Sequence, residues 1–481
     1  RVTSPIPRRI TSFSGCAALS SLDIPDGVQT IEGDVFMGCT SLETIVIPDS
    51  VTSMDAGNYG TFNGVSAEIV WAGTPQIESF LRTFAGYEGE TITIPSSVVT
   101  LDDRTFADTD VKIIWSEDCR VTTVRGAFRD YEGTEIVLPD SVTTLGDASY
   151  AGADELTSIT TILPTRLSTL FNFNGLTGIP VNLTTVNILG DTIADSALYG
   201  CDRVTTVNFL GNVERIPNET FAYCSSLANV ALPDTLTNIG QNAFGHCSSL
   251  TSIDLPDSVR VIEDIAFDSS GITSIDLDGV TEVRGAAFRG CDGLTEISFP
   301  SSLMSVGSEV LDGCNNIESV FWDVEYSDDS DLTFYNVTFD NLTIGENVKS
   351  FNDQTFYRNM VKHLEFNAVA FEGMTGFSTA YIPFGSSCVE ITIGDKVTVI
   401  TDGLFRSTGI TSLVVPESVK SIGYGAFEDC AALASVVLPL TIESIGSEAF
   451  YGCTSLLTVD VPASAQLGDN AFDPATAVNY V

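Results

Sequence analysis

Lysine is almost missing from this chain. Among 481 residues only Lys112, Lys349, Lys362, Lys396 and Lys420 occur, and Lys and Arg together number 21 against 64 Asp and Glu. The formal net charge of −43 therefore comes mainly from absent bases, not from an acidic tail. Such a surface repels phosphate backbones and anionic lipid, which excludes nucleic-acid partners bound by charge. No apolar run reaches the roughly 18 residues of a spanning helix, so this segment is not expected to insert into a membrane. Histidine is reduced to His246 and His363. Two such residues leave little from which to build a Ser-His-Asp or Cys-His unit or a His-based zinc site. There is no C-x-x-C pair, and no G-x-G-x-x-G or P-loop follows a strand pattern. An enzyme is not expected, and neither is a cofactor. A hydrophobic fraction of 43% and a mean hydropathy of +0.21 argue against wholesale disorder. The first residues, Arg1-Val2-Thr3-Ser4-Pro5-Ile6-Pro7, have no apolar core and do not read as a signal peptide, so a trimmed chain is expected.

What is present is repetition. Residues 16–39, 224–247, 247–270 and 430–453 share the frame C-x-x-L-x-x-I-x-L-P-x-x-V-x-x-I-x-x-x-A-F, with a period of 23 and local drift between 21 and 26. Three ladders hold one register. Phe84, Phe106, Phe128 and Tyr150 are 22 apart, and the series resumes at Phe221, Phe244, Phe267 and Phe288, then at Phe405, Phe427, Phe450 and Phe472. Pro25, Pro48, Pro95, Pro139, Pro233, Pro256, Pro416 and Pro439 form the second ladder. Cys16/Cys39, Cys201/Cys224/Cys247, Cys291/Cys314 and Cys430/Cys453, all 23 apart, form the third.

One unit explains itself physically. Leu250, Ile253 and Leu255 are inward positions of a short strand, and Pro256-Asp257 ends it by removing a ladder donor and presetting a turn. Val259 and Ile262 return inward three apart, which predicts a short helical or 3₁₀ turn. Phe267 then fills the coil. A lone coil cannot bury these groups, whereas stacked coils can. The expectation is a repeat solenoid of roughly 20 coils with one short parallel strand per coil. Residues 151–200 and 315–400 drift from the frame and read as long variant coils. Leu342-Thr343-Ile344-Gly345 recurs as Ile391-Thr392-Ile393-Gly394, 49 residues on. With no Pro/Gly/Ser linker, 1–481 reads as a single solenoid domain.

These residues resemble the BspA-type leucine-rich repeat, in the C-x-x-L, strand-Pro and A-F-x-G-C elements quoted above, over nearly the whole chain. The resemblance implies a secreted or cell-surface protein that adheres to host proteins, matrix or other cells. The flanking modules usual in that family are not in this sequence.

Candidate sites follow. His246 stands where sibling coils carry Gly38, Gly290, Gly313 and Gly452, and reads as a turn variant. Cysteines on neighbouring coils would run parallel, so a column of buried thiols is expected rather than a disulfide framework. Asp323, Glu325, Asp328, Asp329 and Asp331 form the densest acidic patch and are the calcium candidates, although they lack EF-hand spacing. The outward strand positions are mostly small and polar, with Asp254 and Asp276 as acidic points and Phe321, Trp322, Val414 and Val437 as apolar ones. Together these make the candidate ligand face. Asn182, Asn218, Asn336 and Asn341 head N-x-S/T sequons and are candidate N-glycosylation sites. The expected function is non-enzymatic binding of a protein or glycan ligand through the solenoid face. The rival is structural: copies that self-assemble into a filament, sheath or surface layer through exposed coil ends, with Arg1, Arg8 and Arg9 meeting an acidic neighbour.

Overall fold

The computed structural model describes residues 8–175, 178–327, 333–334, 337–356, 359–375 and 382–481. The chain divides into two compact units, Arg1–Val213 and Glu214–Val481. Each unit is a stack of coils in which every strand pairing is parallel to the equivalent strand of the next coil.

Most coils carry two short strands rather than one. In the first unit the longer strands include Thr44–Ile47, Glu68–Trp71, Thr91–Ile94 and Lys112–Trp115. Their alternation is strict: Ile45, Ile47, Ile92 and Ile94 are buried while Thr44, Val46, Thr91 and Thr93 face out. The ladder prolines act as expected. The carbonyl of Pro48, Pro95, Pro139, Pro256 or Pro416 accepts a bond from the N–H three residues on, which closes a turn and aims Val51, Val98, Val142, Val259 or Val419 inward.

The opposite side corrects the helical expectation. Val261–Ile262 is a two-residue strand paired with Asn238–Ile239 and Glu282–Val283. Val259 closes the Pro256 turn and Ile262 lies on this strand, so the three-residue spacing marks a turn running into a strand and not a helix. Among the described residues the α-helix is confined to Leu167–Phe171, in a variant coil. The 49-residue spacing from Leu342 to Ile391 spans two coils. The strand Met360–Phe366 lies between them, with Leu364 opposite both Leu342 and Ile391.

The aromatic ladder is a continuous stack through the first unit, and in the second it is interrupted where Leu311 takes the aromatic position; it is longer than the repeat spacing indicated. In the first unit it runs Phe13, Phe36, Phe62, Phe84, Phe106, Phe128, Tyr150, Phe171. In the second, Phe334, Phe356 and Phe384 of the variant stretch lead into Phe405, Phe427, Phe450 and Phe472. Two left-handed residues bracket most of the regular-coil aromatics, one two positions before and one two after: Arg104 and Asp108 around Phe106, Asn242 and His246 around Phe244, Glu448 and Gly452 around Phe450. This double corner turns the backbone around the ring and brings the chain back to the strand side. His246, at φ 60°, occupies the corner that Gly38, Gly290, Gly313 and Gly452 fill in sibling coils, as its place in the frame implied.

The corner is strained elsewhere too. Gly60 sits at φ 116°, beyond the left-handed region open to other residues. A Cβ there would lie 2.7 Å from the Ala85 carbonyl oxygen and 2.8 Å from that of Arg82. Gly60→Ala is therefore expected to lower unfolding free energy by about 2 kcal/mol, measured by urea denaturation. An unchanged midpoint would show that the corner relaxes freely.

The cysteine column is a column of donors. None of the eleven cysteines forms a disulfide. The thiols of Cys39, Cys247, Cys291, Cys314, Cys430 and Cys453 each donate to the carbonyl of the Phe in the preceding coil, at 3.0–3.3 Å. Tyr87 and Tyr131 take the same position in the first unit and donate to the carbonyls of Ala67 and Val111. The Phe13, Phe221, Phe267, Phe288 and Phe427 carbonyls already accept the N–H three residues on, so each thiol supplies a second, inter-coil bond to the same oxygen.

Candidate interaction face

The sites named from sequence separate into exposed and committed groups. Phe321 lies outward on Ser319–Trp322, 39% exposed, between Ser298 and Thr343 of the flanking coils. Val414 and Val437 are directly opposite each other on paired strands, 67% and 55% exposed. Asp254 and Asp276 are exposed but lie outside strand pairing. The Asp276 carboxylate accepts a bond from the N–H of Asp278, an Asx turn that draws the backbone off the ladder.

Trp322 is a correction. It follows Phe321 directly, so it takes the inward side of the pleat and is fully buried against Phe299, Phe334 and Phe356. It belongs to the core and not to the ligand face.

The acidic patch also resolves differently. Asp323 is buried, and its carboxylate accepts bonds from the backbone N–H and side-chain amide of Asn347 at 2.9 and 2.7 Å. Glu325 pairs with Lys349. Asp328, Asp329 and Asp331 lie outside the described residues. Among the described residues no group of three or more His, Cys, Asp or Glu side chains is arranged to hold a metal ion.

Asp323 illustrates a general use of acids here. The carboxylate of Asp34 accepts the N–H groups of Asn58, Tyr59 and Gly60 at 2.8–3.0 Å. Asp402 takes that of Tyr424, and Asp191 that of Asn212. Each acid closes a turn one coil away, which accounts for part of the acidity as backbone satisfaction.

Of the sequons, Asn182 is exposed in a turn. The Asn218 side-chain oxygen accepts from Arg215 and from the Gln241 N–H, and the Asn341 amide donates to Ser319. Asn336 lies outside the described residues.

Several of the buried thiols are held protonated. Burial pushes the Cys291 thiol up to about 11 and those of Cys314 and Cys388 up to about 12. Such thiols carry almost no thiolate near neutrality. His246 stacks on Tyr223 and faces Asp268, while His363 pairs with Glu390 on the strand face.

Sequence reasoning placed Val137 outward but missed the rest of the aliphatic row of the first unit. Val46 and Val70 are cross-strand partners, and Ile114 is opposite Thr93. With Val137 they stand outward and 36–45% exposed. The signal was present but masked. In Thr44-Ile45-Val46-Ile47 and Lys112-Ile113-Ile114-Trp115 the outward position is itself apolar, so alternation does not stand out. The row is held together by an unexpected device. Strand pairing lapses after Glu68–Trp71 and again after Lys112–Trp115. At each lapse an indole N–H donates across the gap at 2.7 Å, Trp71 to the Thr93 carbonyl and Trp115 to the Val137 carbonyl.

Comparison with known proteins decides the family. The BspA-type leucine-rich repeat region matches over residues 9–114, 76–188, 191–317, 264–378 and 381–479. The chain belongs to the BspA-type leucine-rich repeat family. Three solved structures illustrate the likeness of this BspA-type chain to other repeat proteins. A leucine-rich repeat protein from Bacteroides ovatus is 20% identical, with 96% of this chain and 90% of that one covered and a TM-score of 0.26. A leucine rich cell surface protein from Faecalibacterium prausnitzii is 18% identical, with 80% and 88% covered and a TM-score of 0.26. The pneumococcal vaccine antigen PcpA is 16% identical, with 85% of each chain covered and a TM-score of 0.27. No curated protein matches the chain.

Proposed function

We propose that this BspA-type repeat chain is a non-enzymatic, secreted or cell-surface protein that binds a protein or glycan ligand on matrix or another cell through its strand face. One observation carries the reading. The outward strand positions hold exposed apolar side chains, Val46, Val70, Ile114 and Val137 in one unit and Phe321, Val414 and Val437 in the other. A flat parallel wall with one side chain per coil at about 4.8 Å suits an extended, multivalent contact. Family membership and the protonated buried thiols support a binding role over catalysis.

The test is adherence of purified protein to immobilised matrix proteins, glycans and cells. A variant with Val414→Thr and Val437→Thr is expected to lose about tenfold in apparent affinity while keeping the wild-type unfolding midpoint, because both side chains are more than half exposed and threonine keeps the β-branch without adding charge. Wild-type adherence by that variant removes the strand face from the mechanism. Light scattering on the same preparation separates the structural rival. Growing polymers that persist in the variant would replace adhesion by assembly into a filament, sheath or layer.

A further inference from the structure

The strand face of the first unit carries a charge asymmetry alongside its aliphatic row. Beside Val46, Val70, Thr93, Ile114 and Val137, on the side where each strand begins, stand Glu43, Glu68, Glu90, Asp110 and Glu135, all exposed. None of these carboxylates enters an ion pair among the described residues, while arginines elsewhere in the unit are paired with other acids: Arg82 and Arg129 with Asp103, Arg104 with Asp130. Lys112 is the one base within the row. Where strand pairing lapses after Trp115, the face opens into a depression of about 230 Å³ lined by Asp110, Lys112, Tyr131, Thr134, Glu135 and Val137.

We propose that this face docks a basic amphipathic polypeptide segment, whose apolar side chains lie on the Val46–Val137 row and whose Lys or Arg side chains meet the flanking carboxylates. The proposal rests on the binding reading above and names its partner class. Two physical features select the occupant. A mainly aliphatic row of this kind gains by burying apolar area and offers a single hydroxyl, that of Thr93, along it. A fence of unpaired carboxylates, in a chain of net charge −43, attracts cations and repels acidic segments. A ligand that is cationic but wholly polar would leave the row in water. One that is apolar but acidic would meet the fence. The depression beside Val137 has room for one anchoring side chain.

The probe is a short fluorescent Leu/Lys amphipathic peptide, compared with a Ser/Lys peptide of the same charge and a Leu/Glu peptide of the same hydrophobicity. The intact chain is expected to bind the Leu/Lys peptide at least about tenfold more tightly than either control. The double variant Val70→Ser/Ile114→Ser and the double variant Glu68→Gln/Glu135→Gln are each expected to weaken it by about tenfold, the second with a flatter salt dependence. Glu214→Gln/Glu443→Gln removes the same charge from the other unit and is expected to change nothing. Equal binding of the Ser/Lys peptide, or equal loss in the Glu214/Glu443 variant, would reduce the effect to the overall field and overturn the proposal. So would equal binding of the Leu/Glu peptide. Loss of surface adherence in strand-face variants together with no peptide binding would leave the adhesion reading standing and remove only this partner class.

Discussion

Phe106→Ala is expected to lower the unfolding free energy by about 4 kcal/mol. Phe106 is fully buried and stacked between Phe84, at 5.8 Å between ring centroids, and Phe128, at 5.3 Å. Truncation removes the transfer free energy of one ring and two aromatic contacts, and it leaves a cavity that rigid neighbouring coils cannot close. The left-handed corners at Arg104 and Asp108 fix the backbone around the ring, so collapse into the space is blocked. Because coils contact only their neighbours, the loss should appear as earlier melting of the first unit, not as a small uniform shift. Urea denaturation followed by circular dichroism reads it. Phe106→Leu is the control and should cost about 1.5 kcal/mol or less, because much of the volume is kept. A loss below about 1 kcal/mol for the alanine variant would mean that the stack is contact without cohesion.

Arg289→Ala is expected to cost about 3 kcal/mol, more than Asp268→Asn at the other end of the same pair. The Asp268 carboxylate is 6% exposed and is held by the Arg289 guanidinium through two bonds, at 2.9 and 3.0 Å. Arg289 itself is 44% exposed at the side chain, and its pKa is raised above its ordinary value, first by the hydrogen bond to Asp268. The partners therefore differ in where they go when the other is lost. Arg289 can turn to water. Asp268 cannot, and without the guanidinium it keeps only the His246 ring at 3.7 Å and the Ser269 hydroxyl at 3.5 Å to offset its desolvation. Denaturant midpoints of the two single variants and the double variant, taken as a cycle, give the coupling. Equal losses from both single variants would show that water already reaches Asp268.

Much of the fold was legible because the repeat period converts sequence into register. Phe221, Phe244, Phe267 and Phe288 fall 21 to 23 apart and meet ring to ring at 5.0–5.7 Å. The His246 corner, the Pro256 turn and the outward placement of Phe321, Val414 and Val437 followed from the same alignment. Less of the candidate face was legible. Val46, Val70 and Ile114 were hidden because apolar residues on both faces of a strand erase the alternation that marks its outer side. Trp322 was placed on the wrong side because the irregular coil around it blurred the pleat, although its neighbour Phe321 was placed correctly.

The sequence alone determined that the chain repeats, which residues stack and where each strand stops. Those features depend on residue type at a fixed spacing, and hydrophobic burial enforces them coil after coil. The tertiary structure decided what each polar group does. The Cys247 thiol bonds the Phe221 carbonyl 26 residues back, Asp34 closes a turn 24 to 26 residues on, and the Trp115 indole bridges to Val137. These partners share no local pattern. They meet because stacking sets one coil about 4.8 Å above the next, and a hydrogen bond is chosen by that distance in space.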